Sequence, residues 1–429
     1  MDAAQWDVLL QGQADANPFM CHAYLVALHE SGAALPKTGW TPRFITLWRG
    51  TDMVAACALY IKAHSYGEYV FDHAWANAYH QHGLDYYPKA VVAVPFTPVP
   101  GARLLARTQA DRETLVQGLV AWCGEEKLSS LHLLFANEED VTACTANGLM
   151  VRHTVQFHWL NTQPGYSSFD DFLASLSQEK RKKIRQERRK VAEAGVTFRW
   201  SLGADIAPPD WDFFYRCYER TYLEHGNAPY LSRNFFQRMA DTMPENWLLF
   251  VAEREGQPIA ASLIAVTSNH ANSTLAGTTA IHSKCTTTLI ANYAHGTRAI
   301  GIIDTKTGPE NDFSAHATAS DPTAPARIAY GRYWGALERV DCLHFEACYY
   351  QPLQWCIDHG YQRFEGGAQG EHKMARALMP VKTSSAHWLA QPAFADAVER
   401  FLAREGQGIE NYMTDLSQRS PFRNPVQEA

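Results

Sequence analysis

IAYGRYWGALERVDCLHFEACYYQPLQWCIDHGYQRFEGGAQGEHKMARALMPVKTSSAHWL, residues Ile328 to Leu389, is the stretch on which the reading of the fold turns. Its opening, IAYGRYW, suits a short strand. Alternation there places Ala329, Gly331 and Tyr333 on one face and Tyr330, Arg332 and Trp334 on the other. A helix is expected from about Leu343 to His359, stopped by Gly360, with Pro352 either delaying its start or kinking it. A second strand, YQRFEGG, leads into a glycine-rich loop carrying Gln369, Glu371, His372, Lys373 and Arg376. Strand, helix, strand with polar residues just after each strand is the order that places ligands at strand carboxyl ends. No other part of the chain concentrates so many titratable and glycine positions, so the active region is expected here.

The words GRYWGALE, HFEACYYQ and EGGAQGEHKMARAL resemble the C-terminal motifs of FemAB-like proteins, the "peptidoglycan biosynthesis/recognition" family. That resemblance implies a GCN5-related N-acetyltransferase (GNAT) fold: a mixed α/β architecture of two tandem GNAT-like domains, each a twisted mixed sheet flanked by helices. It also implies an acyl- or aminoacyl-transferase acting on an amine, in peptidoglycan precursor metabolism of a bacterium. The donor stays open between acyl-CoA (acetyl-CoA) and aminoacyl-tRNA. Two other readings stand beside it: an acyl-CoA-dependent N-acetyltransferase on a small molecule or protein, and a non-catalytic binder of nucleic acid or an anionic cell-wall precursor.

At 429 residues the chain has room for two or three domains, each with its own core. The 12 Trp and 19 Tyr suit aromatic-lined grooves or simply an aromatic-rich core. A net charge of −7 argues against global nucleic-acid affinity, though not against a local basic patch. Nine scattered Cys, without CxxC pairs or metal-like Cys/His spacing, are expected to be reduced thiols of a cytoplasmic protein, and no metal is expected. No run reaches the roughly 18 apolar residues of a transmembrane span. The absence of a G-x-S-x-G, a P-loop or a metal signature removes hydrolase, kinase and metalloenzyme readings.

The first domain is expected over 1–165: a hairpin from RFITLWRG and MVAACALYIKA, a buried strand at Ala90–Phe96, a helix, and further strands. Between strand and helix, the loop TPVPGARLL offers Gly101 and Arg103 as a phosphate-binding turn; a purely structural proline turn reads equally well. Tyr66, Glu68, Asp72 and Trp75 could line a groove or form a packed, polar-tipped cluster, and family members share words close to theirs. Residues 166–195 form a basic linker helix, with eight Lys/Arg between Lys180 and Lys190. Lys182 and Arg185 are its candidate phosphate or tRNA contacts, against a merely solvated face.

The second domain, 196–429, starts at VTFRWSL and continues into a helix with a stripe of Trp211, Phe214, Tyr218 and Tyr222. At the end of that helix and in its tail, Tyr222, Asn227, Pro229 and Tyr230 belong to a segment that resembles a family segment near the substrate. The hairpin WLLFVAERE/PIAASLIAV repeats the pattern of the first half. An atypical insert at about 269–327, with eleven Thr, separates SLIAV from IAYGRYW, and no functional residue is expected from it. For acid/base chemistry Glu346 ranks first, then Glu365 and Glu371; the alternative for Glu346 is a buried ion pair with Arg332 or Lys373. Arg332, Tyr333, Trp334, His344, Gln369, His372, Lys373 and Arg376 are candidates to bind the substrate, a small molecule or peptidoglycan precursor.

Overall fold

The computed structural model describes residues 2–161, 164–268, 287–293, 296–303, 326–368 and 370–423. Its strands are β1 (Trp40–Arg49), β2 (Asp52–Lys62), β3 (Lys89–Val92), β4 (Leu104–Ala106), β5 (Ser130–Ala136), β6 (Met150–Leu160) and β7 (Val196–Leu202). The rest are β8 (Trp247–Arg254), β9 (Gln257–Val266), β10 (Thr287–Tyr293), β11 (Gly296–Ile303), β12 (Ile328–Ala336), β13 (Arg363–Ala368) and β14 (Met379–Leu389). The helices are α1 (Ala3–Gln11), α2 (His22–Glu30), α3 (His73–Gln81), α4 (Gln109–Glu125), α5 (Glu138–Ala146) and α6 (Phe169–Ser175). They continue with α7 (Gln178–Glu193), α8 (Pro208–Glu224), α9 (Arg233–Thr242), α10 (Leu343–Phe345), α11 (Gln351–Asp358) and α12 (Pro392–Gln418).

The architecture is mixed α/β: one sheet in the order β11-β10-β1-β2-β3-β5-β14-β6-β13-β12-β9-β8-β7, flanked by helices, with β4 beside β2. Hairpin, strand, helix, strand occurs twice, as β1–β2, β3, α4, β5 and as β8–β9, β12, α10–α11, β13. In each half the last two of these strands are parallel neighbours. The halves then exchange strands. β14 inserts between β5 and β6, and β6 in turn pairs with β13. A cut after residue 165 therefore leaves β14 in the sheet of the first half.

Strand alternation decides which helices cover which face. Ala56, Ala58 and Tyr60 of β2 join the core under α1, α2, α8 and α9, whereas Cys57 and Leu59 face the one under α4 and α5. In the second half Ala261, Leu263 and Ala265 of β9 join the first of these cores, and Ile264 and Val266 meet α6 and α11. The stripe on α8 is buried through Trp211, Phe214 and Tyr218. Gly335 of β12 passes so close to α8 that a Cβ would stand 1.9 Å from the Cys217 carbonyl oxygen, which accounts for the second glycine of GRYWGALE.

Two local expectations change. β12 pairs with β9 up to Gly331 and resumes at Tyr333, so a bulge takes Arg332 out of register. Tyr330 and Tyr333 consequently share one core instead of lying on opposite faces. The expected single helix is α10, a π turn at Glu346–Tyr350, and α11. That wider turn directly precedes Pro352, whose ring would clash with a regular preceding turn. Of the expected insert, β10 and β11 form a hairpin extending the sheet beyond β1, and Ala326 and Arg327 lead into β12. Its remaining residues, and Gln369, lie outside the described residues. Among the described residues no helix is long and apolar enough to cross a membrane.

Candidate active site

β12 and β13 pair only from Ile328–Tyr330 to Arg363–Glu365 and then part, although both strands continue. β13 also loses register with β6 after Glu365. The resulting wedge opens into a cleft of about 230 Å³ between the two halves. Gly331, Arg332, Tyr333, Gly366 and Gly367 line its strand side. Tyr69, Phe96 and Pro98 come from the first half, and Tyr218, Tyr222, Tyr230 and Leu231 from α8 and the segment after it. Gly366 is required by close approach: a Cβ there would stand 2.4 Å from Leu378 Cδ2. Tyr69 and Phe96 hold left-handed backbone, φ 61° and 59°, a conformation that costs a non-glycine residue energy and gathers at functional sites. The Phe96 ring stacks on Tyr230 with centroids 4.7 Å apart.

Arg332 is the cleft's cation. Nη2 donates to the Phe96 carbonyl at 2.9 Å, and the guanidinium lies 5.2 Å from the Tyr333 ring centroid and 5.4 Å from that of Phe19. Burial works against its charge, but Tyr333, Tyr24 and Tyr69 outweigh it and raise the pKa. The positive charge is therefore permanent, and Nε has no hydrogen-bond partner among the described residues. Burial raises the phenols of Tyr222 and Tyr218 as well, so both stay protonated donors. The arrangement offers a fixed cation, hydroxyl donors, a bulged strand and, among the described residues, no lining carboxylate: it suits an oxyanion or a phosphate.

The three candidate carboxylates lie elsewhere. Glu346, on the π turn, is 4% exposed; it accepts from Arg188 Nε at 3.1 Å and Gln351 Nε2 at 2.7 Å. The buried ion pair thus forms with the basic helix, not with Arg332 or Lys373. Burial raises its pKa despite Arg188. Glu371 is exposed, accepting from Tyr412 at 2.7 Å and Arg419 at 3.1 Å. Glu365 is 3% exposed and points from β13 into a second cavity. Lys373 sits beneath the cleft floor, donating to the Gly367 carbonyl at 3.0 Å, and burial lowers it to about 8. Arg376 Nη2 donates to both Glu187 carboxylate oxygens, at 2.9 and 3.0 Å, and the guanidinium stacks on Phe345, so it docks α7. His344 packs between Trp334 and Tyr349, and the Tyr349 hydroxyl reaches His372 at 3.4 Å.

The first-half candidates also change character. Tyr66 is 68% exposed, but Glu68, Asp72 and Trp75 are buried. Lys89 donates to Glu68 at 2.8 Å and to Asp72, and the Tyr86 hydroxyl donates to Asp72 at 2.6 Å. Burial lifts Glu68 to about 7; on Asp72 burial pushes the same way but Lys89 and His132 win and hold it low. Trp75 stacks on His132, whose Nδ1 lies 2.8 Å from His387 Nδ1 on β14. This network ties the exchanged strand to the first half and presents no groove. A Cβ on Gly101 would stand 2.3 Å from Asn17 Nδ2. Arg103, expected to meet a phosphate, is 1% exposed and donates to the Leu134 carbonyl at 3.0 Å and to that of Val99. Its charge is committed to holding the loop. On α7, Ile184, Glu187 and Val191 face inward while Lys182 and Arg185 are exposed.

Of the residues singled out from sequence, Arg332, Tyr333, Tyr222 and Tyr230 meet in the cleft. Tyr69 lies in the stretch HSYGEYVFD, which carries a resemblance to family members, and Pro98 in the loop TPVPGARLL, but neither they nor Phe96 stand among the sequence candidates.

The family model FemAB-like, described as peptidoglycan biosynthesis/recognition, matches residues 1–277 and 323–424. Among solved structures, the chain is similar to the C-terminal DUF2156 domain of a protein from Agrobacterium fabrum described as a lysylphosphatidylglycerol synthetase. The TM-score is 0.49 at 9% identity, covering 93% of this chain and 96% of that one. L-PGS from Bacillus licheniformis gives 0.48 at 10% identity, covering 94% and 97%. A tandem GNAT protein from the clavulanic acid biosynthesis pathway gives 0.37 at 10%, covering 91% and 95%. No curated protein matches by sequence.

Proposed function

Because the chain belongs to the FemAB-like family, we propose that it transfers an acyl or aminoacyl group to the amine of a peptidoglycan precursor. The observation that carries the reading is the cleft at the parting of β12 and β13, where a bulge releases Arg332 from the ladder beside two glycines. The donor carbonyl sits against the bulged backbone, whose N–H group polarises it. The fixed Arg332 charge lowers the pKa of an incoming ammonium, so the neutral amine is populated. Its lone pair attacks the carbonyl carbon, the oxyanion forms beside Arg332 and the tyrosine hydroxyls, and the leaving group departs with the amine's proton. The aromatic walls exclude water and hold the two partners at attacking distance.

The exposed basic face of α7 favours a polyanionic donor, aminoacyl-tRNA, over acyl-CoA. The test incubates the purified protein and a peptidoglycan precursor with either charged tRNA or labelled acetyl-CoA, reading the amide by mass spectrometry. Amide from charged tRNA, weakened by salt and by neutralising Lys182 and Arg185, is the expected result. Amide from acetyl-CoA alone overturns the choice of donor. Amide from neither overturns the transferase reading.

A further inference from the structure

Glu365 opens on a second cavity, of about 290 Å³, that the transfer reaction does not use. Successive β13 residues serve the two spaces: Glu365 lines this one and Gly366 lines the cleft. The loop that carries Pro98 and Pro100 runs between them. It is pinned by Arg332 to the Phe96 carbonyl, by Gln156 to that of Pro98 at 2.8 Å, and by the Gly101 N–H to the Phe135 carbonyl at 3.1 Å.

Among the described residues, three buried polar atoms on residues lining this cavity have no hydrogen-bond partner: Arg363 Nε, which faces Glu365 Oε1 only as an ion pair at 3.0 Å, and two others. Of those two, one is Glu365 Oε2, on a residue 3% exposed. Oε1 lies 3.0 Å from Arg363 Nε, whereas the neighbour of Oε2 is His158 Nε2 at 4.0 Å, which shares a 3.4 Å contact with Gln156 Oε1 instead. The other is Asn137 Nδ2, on a residue 7% exposed. Asn137 Oδ1 caps α5 by accepting from the Asp140 N–H at 3.0 Å, and this fixes which end of the amide is free. An acceptor and a donor, both buried, thus belong to residues that line one space.

The surrounding charge selects what fills it. Asp15, Glu138 and Glu365 line the cavity with Arg363 and Lys382; Arg363 and Glu365 offset each other and Lys382 is 2.9 Å from Glu410, so the lining is net negative. The first turn of α5 already carries Glu138, Glu139 and Asp140, which repel an anion from its N-terminus. The cavity is therefore suited to a cation at Glu365 and to a neutral oxygen, not a carboxylate, at Asn137. We propose that it is a binding site for a small primary amine bearing a hydroxyl or carbonyl oxygen, with Glu365 holding the ammonium and Asn137 Nδ2 donating to the oxygen. This site is independent of the transferase reading.

The test is titration of the full chain by NMR or calorimetry with ethanolamine, set against glycine, which adds a carboxylate, and ethylene glycol, which lacks the amine. Saturable ethanolamine binding, stronger than that of either control, is expected. Glu365→Gln should weaken it about tenfold or more, as loss of a charge-assisted hydrogen bond does. Asn137→Ser keeps a good helix cap while replacing the amide donor by a shorter hydroxyl that falls short of the oxygen, and should weaken it by a smaller factor. The proposal is overturned if ethanolamine shows no saturable binding, if glycine binds better, or if folded Glu365→Gln binds ethanolamine as the parent does.

Discussion

Replacing Glu365 by Gln should make the protein more stable in a pH-dependent way. Burial raises Glu365 from 4.5 to about 7, against the pull of Arg363. A carboxyl whose folded pKa lies above its unfolded one binds more protons in the folded state, so its ionisation weakens the fold as pH rises between those values. The contribution is neutral below pH 4.5 and reaches its full cost above about pH 7. At 1.36 kcal/mol per unit, the cost is on the order of 3 kcal/mol. Glutamine has the same shape and cannot ionise. The assay is denaturant unfolding of parent and variant at pH 4.5 and pH 8. The two should differ little at pH 4.5, and at pH 8 the variant should lead by up to about 3 kcal/mol. A stability difference that stays constant across this range would refute the argument that burial dominates at Glu365.

Three further outcomes follow from the contacts. Arg103→Met should destabilise the fold by about 3 kcal/mol or more, because the buried Leu134 and Val99 carbonyls lose their donor; unchanged urea unfolding would show the loop is held otherwise. Glu187→Ala leaves Arg376 buried without its ion-pair partner and should cost about 3–5 kcal/mol, with loosening of α7 visible as faster amide exchange. By contrast, Lys182→Ala with Arg185→Ala should change stability by less than about 0.5 kcal/mol, both residues being exposed. The same pair should flatten the salt dependence of tRNA binding by about one unit of slope per charge removed, and an unaltered slope would exclude α7 as the contact.

The local parts of this fold were legible because they rest on local rules. Alternating strands, the helix stop at Gly360 and the aromatic stripe of α8 follow from periodicity over a few residues. The exchange of β14 for β6 rests on contacts between residues more than 200 positions apart, and no short-range pattern encodes it. The bulge at Arg332 breaks an alternation that looks perfect in the letters. Arg103 shows a different gap. An arginine beside a glycine turn reads as a phosphate partner until its depth is known, and that depth depends on the carbonyls of a strand thirty residues on. Glu68 and Asp72 looked like groove residues for the same reason, with their counter-charge Lys89 some twenty positions away. In the cleft, Tyr222 and Tyr230 carried a resemblance that marked them, whereas Tyr69 and Phe96 are indistinguishable by type from the many core aromatics.

The proposed acyl transfer runs where β12 and β13 part, beside Arg332. The measurement is kcat for amide formation by the parent and by Arg332→Gln, each corrected for its folded fraction. If the reaction runs in this cleft, removing the fixed cation should lower kcat by about a hundredfold or more, as loss of an oxyanion-stabilising group does. An Arg332→Gln protein that folds and turns over at the parent rate would contradict the account and move the reaction out of this cleft.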